Sequence, residues 1–303
     1  MKKEINMTGF LDAIKDLTVN GMMVYQNDEL LVHYQPKPEE KQNQYSGTKS
    51  FTSTAVGVAV QEGLFSMEDN VLDHFKEDAP ANPSKHLQNM KLKHLITMSM
   101  GFESPMLMGA QRPTLRETEK DWVRYVLKAP VIHAPGSVFQ YNNAGPYLLG
   151  ILIERKAGCT LCEYLTPRLF EPLGMEIPQF ELDPMGRCFG AGGMVSKVSD
   201  LAKLGLLYLH KGVWKGKQLL PESWVETATA PHIQANEGDE EIGHAYAYLF
   251  WNMPDGMYRV DGKYGQYCIV MPKQNAVIAV NSMQIEHEKD VLRAVVRNII
   301  PQL

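Results

Sequence analysis
The strand-like segments of this chain are confined to its two ends, and that placement restricts the available folds more than any other feature. Near the start, Met22-Met23-Val24-Tyr25 and Leu30-Leu31-Val32-His33-Tyr34 are apolar runs separated by Gln26-Asn27-Asp28, the turn chemistry of a hairpin. Near the end, Tyr246–Met253, Tyr258–Val260, Tyr267–Met271 and Ala276–Met283 read as strands, with Pro254-Asp255-Gly256 and Pro272-Lys273-Gln274-Asn275 as tight turns. Each end also carries a helical stripe: Phe10, Ala13, Ile14 and Leu17 at one, Val291, Leu292, Val295, Val296 and Ile299 at the other. Hairpins at both ends, with no repeating βαβ pattern, argue for an α+β fold rather than a doubly wound sheet.

Between the ends the signals are mainly helical. From Ser46 to Leu64, Phe51, Ala55, Val58 and Ala59 form one stripe and Val56, Val60 and Leu64 its neighbour, the wide apolar arc of a largely buried helix. A second helix starts near Pro146 and stops at Gly158, and a third runs from Ser199-Asp200 to Gly212. The 303 residues are 44% hydrophobic and 21% charged, enough apolar material for a sizeable core and too much for a disordered chain. Thirty basic against thirty-five acidic residues, net −5, leave no footprint for nucleic acid or an anionic membrane surface. Four cysteines are too few for a disulfide scaffold and read as reduced thiols. Glu4, Asn6 and Thr8 interrupt any leader after Met1-Lys2-Lys3, and no run approaches the ~18–20 apolar residues of a membrane span. The expectation is a cytoplasmic protein of open oligomeric state, although a removed leader would leave the same sequence.

Three short motifs carry chemistry. In Ser46-Gly47-Thr48-Lys49 the serine opens a helix and the lysine, three residues on, shares its face. The helix N-terminus adds N–H groups and a positive dipole for developing negative charge. By itself such a pair arises roughly once by chance in a chain of this size, as an N-cap serine with a solvated lysine. In Tyr141-Asn142-Asn143 the tyrosine is a general base only if nearby cations depress its pKa, and Lys49 supplies such a field. Asn143 offers a donor and an acceptor, suited to a substrate amide or to orienting Lys49. In Lys263-Tyr264-Gly265-Gln266 the glycine lets a strand backbone come close, so that the Gln266 N–H pairs with the Ser46 N–H as an oxyanion hole. The bland reading of the last two is a turn with a packed ring and a β turn.

In this order the motifs resemble those of the serine β-lactamase and penicillin-binding protein superfamily, nearest the class C β-lactamase-like esterases and peptidases. His94-Leu95-Ile96-Thr97-Met98, Pro135-Gly136-Ser137-Val138-Phe139-Gln140-Tyr141, Gly190-Ala191-Gly192-Gly193-Met194 and Ser199-Asp200-Leu201-Ala202-Lys203 are similar to that family too. The resemblance implies a β-lactamase/transpeptidase-like fold: residues 1–45 and 231–303 make an antiparallel sheet with terminal helices, and residues 46–230 a mainly helical inserted part. The site lies in the cleft between them. Ser46 is then the nucleophile, with Lys49 and Tyr141 sharing the role of proton acceptor, and Asn143, Lys263, Gly265 and Gln266 serve the oxyanion and substrate. No metal or organic cofactor is implied, and the substrate is a small ester, amide or peptide. Many relatives carry a hydroxyl residue where Tyr264 stands here, which points away from β-lactams and D-amino peptides and toward an esterase or amidase.

Other functions remain open at this point: a β-lactamase or D-amino-peptide hydrolase, and a penicillin-binding or sensor-like protein that is acylated without turnover. A redox role for Cys159-Thr160-Leu161-Cys162 is a further alternative, but the pair has no second partner pair and reads as structural thiols. Cys188 and Cys268 read as small buried residues, and the nine histidines do not cluster.

Overall fold
The computed structural model describes residues 3–303; Met1 and Lys2, where the search for a leader begins, lie outside them. Eight strands form one sheet: β1 (Val19–Gln26), β2 (Glu29–Tyr34), β3 (Ile233–Asp239), β4 (Gly243–Tyr246), β5 (Trp251–Asn252), β6 (Tyr258–Gly262), β7 (Gln266–Met271) and β8 (Ala276–Ser282). Their spatial order is β2-β1-β8-β7-β6-β5-β4-β3, antiparallel throughout. The C-terminal meander thus ends on β8, and the N-terminal hairpin completes the sheet by pairing β1 with it. Asn27 and Asp28 turn that hairpin with φ of 51° and 64°, the left-handed pair that a two-residue loop requires.

Side-chain alternation sends each central strand into two cores. Met22 and Val24, Tyr267, Ile269 and Met271, and Ala276, Ile278 and Val280 face one side; Met23, Cys268, Val270, Val277 and Ala279 face the other. Both faces are covered, which is why β7 and β8 read as unbroken apolar runs. On the first side, Phe10 of α1 (Thr8–Ala13) joins Val291, Leu292 and Val295 of the C-terminal helix Glu288–Asn298.

The other side carries the helical layer. Its central member is α2 (Thr48–Gln61), entered through a single 3-10 turn, Tyr45–Gly47. Every residue from Thr48 to Ala59 is buried, so only the last turn of this helix meets solvent and its apolar arc is wide. Three more helices matter below: α3 (Arg112–Thr118), α4 (Ala144–Ala157) and α5 (Val198–Leu209). With the C-terminal helix as α6, α4 packs on α2 and ends at Gly158 in the left-handed conformation, as a C-terminal glycine allows. Helix α5 lies directly on β8 and β7, so part of the stretch 46–230 packs on the sheet itself.

Gly205 permits that close approach. A Cβ there would sit 2.5 Å from Cys268 Sγ and 2.7 Å from Val277 Cγ1. Gly205→Val should therefore destabilise the protein by about 1–3 kcal/mol, the usual scale of overpacking, and lower Tm with far-UV circular dichroism unchanged. An unaltered Tm would show that α5 does not depend on this contact.

Candidate active site
Ser46 sits at the crest of a turn that several side chains hold. Tyr45 has φ 46°, a conformation that costs a non-glycine residue energy and needs outside support. Asn43 Oδ1 accepts from the Tyr45 N–H at 2.7 Å, Thr48 Oγ1 donates to the Tyr45 carbonyl at 2.7 Å, and the Met194 N–H donates to Thr48 Oγ1 at 3.0 Å. The result is a half-buried Ser46 one turn ahead of Lys49.

Lys49 is 1% exposed, with Nζ 2.9 Å from Ser46 Oγ and 2.7 Å from the Ala191 carbonyl oxygen. Burial holds its pKa well below the usual lysine range, and the Arg112 guanidinium adds to that; Asp261 opposes it. Burial favours the neutral amine over the ammonium, and a neutral Nζ has a lone pair for the Ser46 hydroxyl proton while it still donates to Ala191. A lysine in this state is a base aimed at a nucleophile. Tyr141 closes the group: its ring centroid lies 5.0 Å from Lys49 Nζ and stacks on Trp251 at 5.9 Å and 22°.

Asn143 is the residue that leads into α4. Its Nδ2 donates to the Leu107 carbonyl at 2.9 Å, while Oδ1 is buried without a partner. Leu107 thus takes the amide nitrogen, and the oxygen is left without a partner. Ser46, Tyr141, Asn143, Trp251 and Lys263 line one cavity of about 520 Å³.

The third motif is placed differently from the sequence expectation. Lys263 lines the cavity, but Tyr264, Gly265 and Gln266 do not. Tyr264 packs edge-on against Tyr45 at 4.9 Å, Gly265 abuts Ser282, and the Gln266 amide donates to the Ser282 carbonyl. The physical reason is strand register. Gly262 accepts from the Gly265 N–H and is paired with Gln266 across the β6–β7 ladder, so the Gln266 peptide belongs to that ladder and is not offered to Ser46. On its other side β6 has an edge toward β5. That edge is open, because β5 pairs only with Tyr258 and Arg259. It also adjoins the serine turn, where a Cβ on Gly262 would lie 3.1 Å from the Gly47 nitrogen. The backbone that adjoins the serine turn is therefore the β6 edge carrying Asp261 and Lys263, both of which line the cavity, rather than Gln266, and the substrate argument from Tyr264 loses its basis.

Asp261, Arg259, Arg112, Glu181 and Ala191 were not found as site residues from the sequence. Only Ala191 carried a signal, in Gly190-Ala191-Gly192-Gly193. The cysteines remain apart: Cys159, Cys162, Cys188 and Cys268 are free, and burial raises the pKa of each thiol. Among the described residues no cluster of three or more His, Cys, Asp and Glu side chains is placed to hold a metal ion.

The beta-lactamase family profile matches residues 18–298, and the chain belongs to that family, a family of serine hydrolases. Among curated relatives, it is 26% identical over 147 residues to Protein flp of Staphylococcus aureus (strain MW2), covering 48% of this chain and 29% of that protein. It is 29% identical over 121 residues to the 6-aminohexanoate-dimer hydrolase of Paenarthrobacter ureafaciens, covering 40% of this chain and again 29% of the relative. The chain therefore matches less than a third of the length of either relative. Among solved structures, a Bacillus anthracis protein assigned as a 6-aminohexanoate-dimer hydrolase superposes with a TM-score of 0.80 at 22% identity, over 96% of this chain and 80% of that one.

Lys49→Met should lower kcat by about 10² or more, the scale of a lost general base, whereas Tm should hold or rise because an apolar chain replaces a desolvated amine. In the unsubstituted protein kcat/KM should fall on the acid side as the amine takes up a proton, at a pH well below the ordinary lysine range. Full activity in Lys49→Met, measured on folded protein, would place the base elsewhere.

Proposed function
We propose that this protein hydrolyses a small ester or amide, or a peptide, through an acyl-enzyme on Ser46. The observation that carries the reading is the buried Lys49 amine 2.9 Å from Ser46 Oγ. Oγ attacks the substrate carbonyl carbon as Lys49 Nζ takes its proton, and the carbonyl oxygen becomes an oxyanion between the Ser46 N–H and the backbone edge of β6. The proton then passes to the leaving oxygen or nitrogen, with Tyr141 beside Lys49 as the relay, and the C–O or C–N bond breaks. Water adds to the acyl carbonyl, its proton is taken by the same pair, and Ser46 Oγ leaves with a proton as the acid product is released.

The unpartnered Asn143 Oδ1 supports substrates with an N–H near the scissile bond. The relative named for 6-aminohexanoate-dimer hydrolysis supports the amide side of the reading, since two such units joined through amine and carboxylate form an amide.

A serine-directed fluorophosphonate should add once per chain, and peptide mapping should place the adduct between Tyr45 and Lys49. Ser46→Ala should remove it. Ser50 donates to the Leu249 carbonyl and is 1% exposed, and Ser53 is fully buried, so neither should label. An adduct at another residue, or none under forcing conditions, contradicts the acyl-enzyme.

A further inference from the structure
Arg112 makes no contact with Ser46, yet three of its interactions converge on the groups around it. Its Nε and Nη2 donate to the two oxygens of Glu181 at 3.0 and 3.2 Å, and its Nη1 donates to the Leu107 carbonyl at 3.1 Å. That carbonyl also accepts from Asn143 Nδ2. A carbonyl oxygen only accepts, so the Asn143 amide must turn its nitrogen there and its oxygen the other way. Leu107 has φ 56°, a conformation that persists only where neighbours hold it. The Asn143 N–H, bonded to the Met106 carbonyl, and Arg112 are two such holds.

Glu181 carries the linkage to the other side of the site. Its N–H donates to the Gly193 carbonyl and its own carbonyl accepts from the Phe189 N–H. A Cβ on Gly193 would lie 2.3 Å from Glu181 Cβ, so this loop is pressed against the carboxylate residue. The Arg112 guanidinium also lies 4.6 Å over the Phe189 ring. Between Phe189 and Gly193 stands Ala191, whose carbonyl holds Lys49. Arg116 donates to Glu181 from the next turn of α3 at 2.8 Å, fixing the carboxylate from a second direction.

We propose that Arg112 is a positioning residue of this site: its guanidinium fork locks the Leu107 carbonyl that aims Asn143 at the substrate and, through Glu181, joins that arrangement to the loop that holds Lys49. A lysine cannot replace it, because one ammonium does not span the Glu181 carboxylate and the Leu107 carbonyl in one plane. The same guanidinium is a fixed positive charge toward Lys49. The other charged or titratable groups near Lys49 are Asp261 on β6, itself paired with Arg259 at 2.8 Å, and Tyr141 ahead of α4, while Lys263 and Glu181 line the same cavity, Glu181 paired with Arg112. The two effects separate by substitution: Arg112→Lys keeps the charge and loses the fork, whereas Arg112→Gln loses both.

The inference rests on the acyl-enzyme reading, and one experiment tests the two apart. Fluorophosphonate labelling rates are measured across pH for the unsubstituted protein, Arg112→Lys and Arg112→Gln, each checked for folding by circular dichroism. Hydrolysis of p-nitrophenyl N-acetylglycinate is compared with that of p-nitrophenyl levulinate, in which a methylene replaces the N–H. Both variants should lose about tenfold in the preference for the N–H ester, the worth of one hydrogen bond. Only Arg112→Gln should move the acid limb of labelling to higher pH. If both esters slow together and the limb stays in place, Arg112 is merely structural and the proposal is overturned, while labelling of the unsubstituted protein at Ser46 leaves the acyl-enzyme standing. No labelling at Ser46 overturns both.

Discussion
A primary amine removed from water loses several kcal/mol of hydration if it keeps its charge, and Lys49 is removed almost completely. Its hydrogen-bond partners are a hydroxyl and a peptide carbonyl. Such surroundings favour the amine over the ammonium, and an amine beside a hydroxyl is a base. The rest of the structure serves this one desolvated contact. Helix α2 is buried from Thr48 to Ala59, so that its first turn stays dry. The Phe189–Gly193 loop supplies a carbonyl that fixes the amine, and the cationic Arg112 stands near enough to disfavour protonation.

The sheet contributes an edge rather than a face. Because β5 is only two residues long, β6 is left open from Val260 onward, and the serine turn packs against that opening. A longer β5 would pair with β6 beyond Arg259 and close that edge. Gly262 fits the same logic, since a side chain there would lie 2.3 Å from the Gln44 carbonyl oxygen and push the serine turn away. The cost of this openness is carried by the strands behind it, whose both-sided burial keeps β6 in register.

Features local in sequence were legible. Ser46 and Lys49 meet because three residues is one helical turn, and Asn27-Asp28 and Gly158 mark their turn and cap by backbone preference alone. Tyr141 and Asn143 were legible from a short loop motif, which names the residues but not their partners. Gly265 and Gln266 were misplaced because the pattern of a lysine, a glycine and a strand does not say which side of the turn faces the serine; a hairpin presents alternate peptides to opposite edges, and one step of register decides the matter. Arg112, Glu181 and Asp261 act through contacts between segments far apart in the chain, so no window of sequence contains them. The position of α5 on the sheet was hidden for the same reason: Gly205 is an ordinary helix glycine until Cys268 and Val277 are placed beneath it.

The central claim is that Lys49 is an uncharged amine at neutral pH. Lysine side-chain NMR on selectively labelled protein reads this directly, with the Lys49→Met variant identifying the Lys49 signal by its loss. The account predicts one Cε resonance with the chemical shift of a neutral amine at pH 7, becoming charged only as the pH is lowered, while the other lysines are still protonated. A Lys49 signal that stays in the ammonium position through neutral pH and titrates with the surface lysines would contradict it.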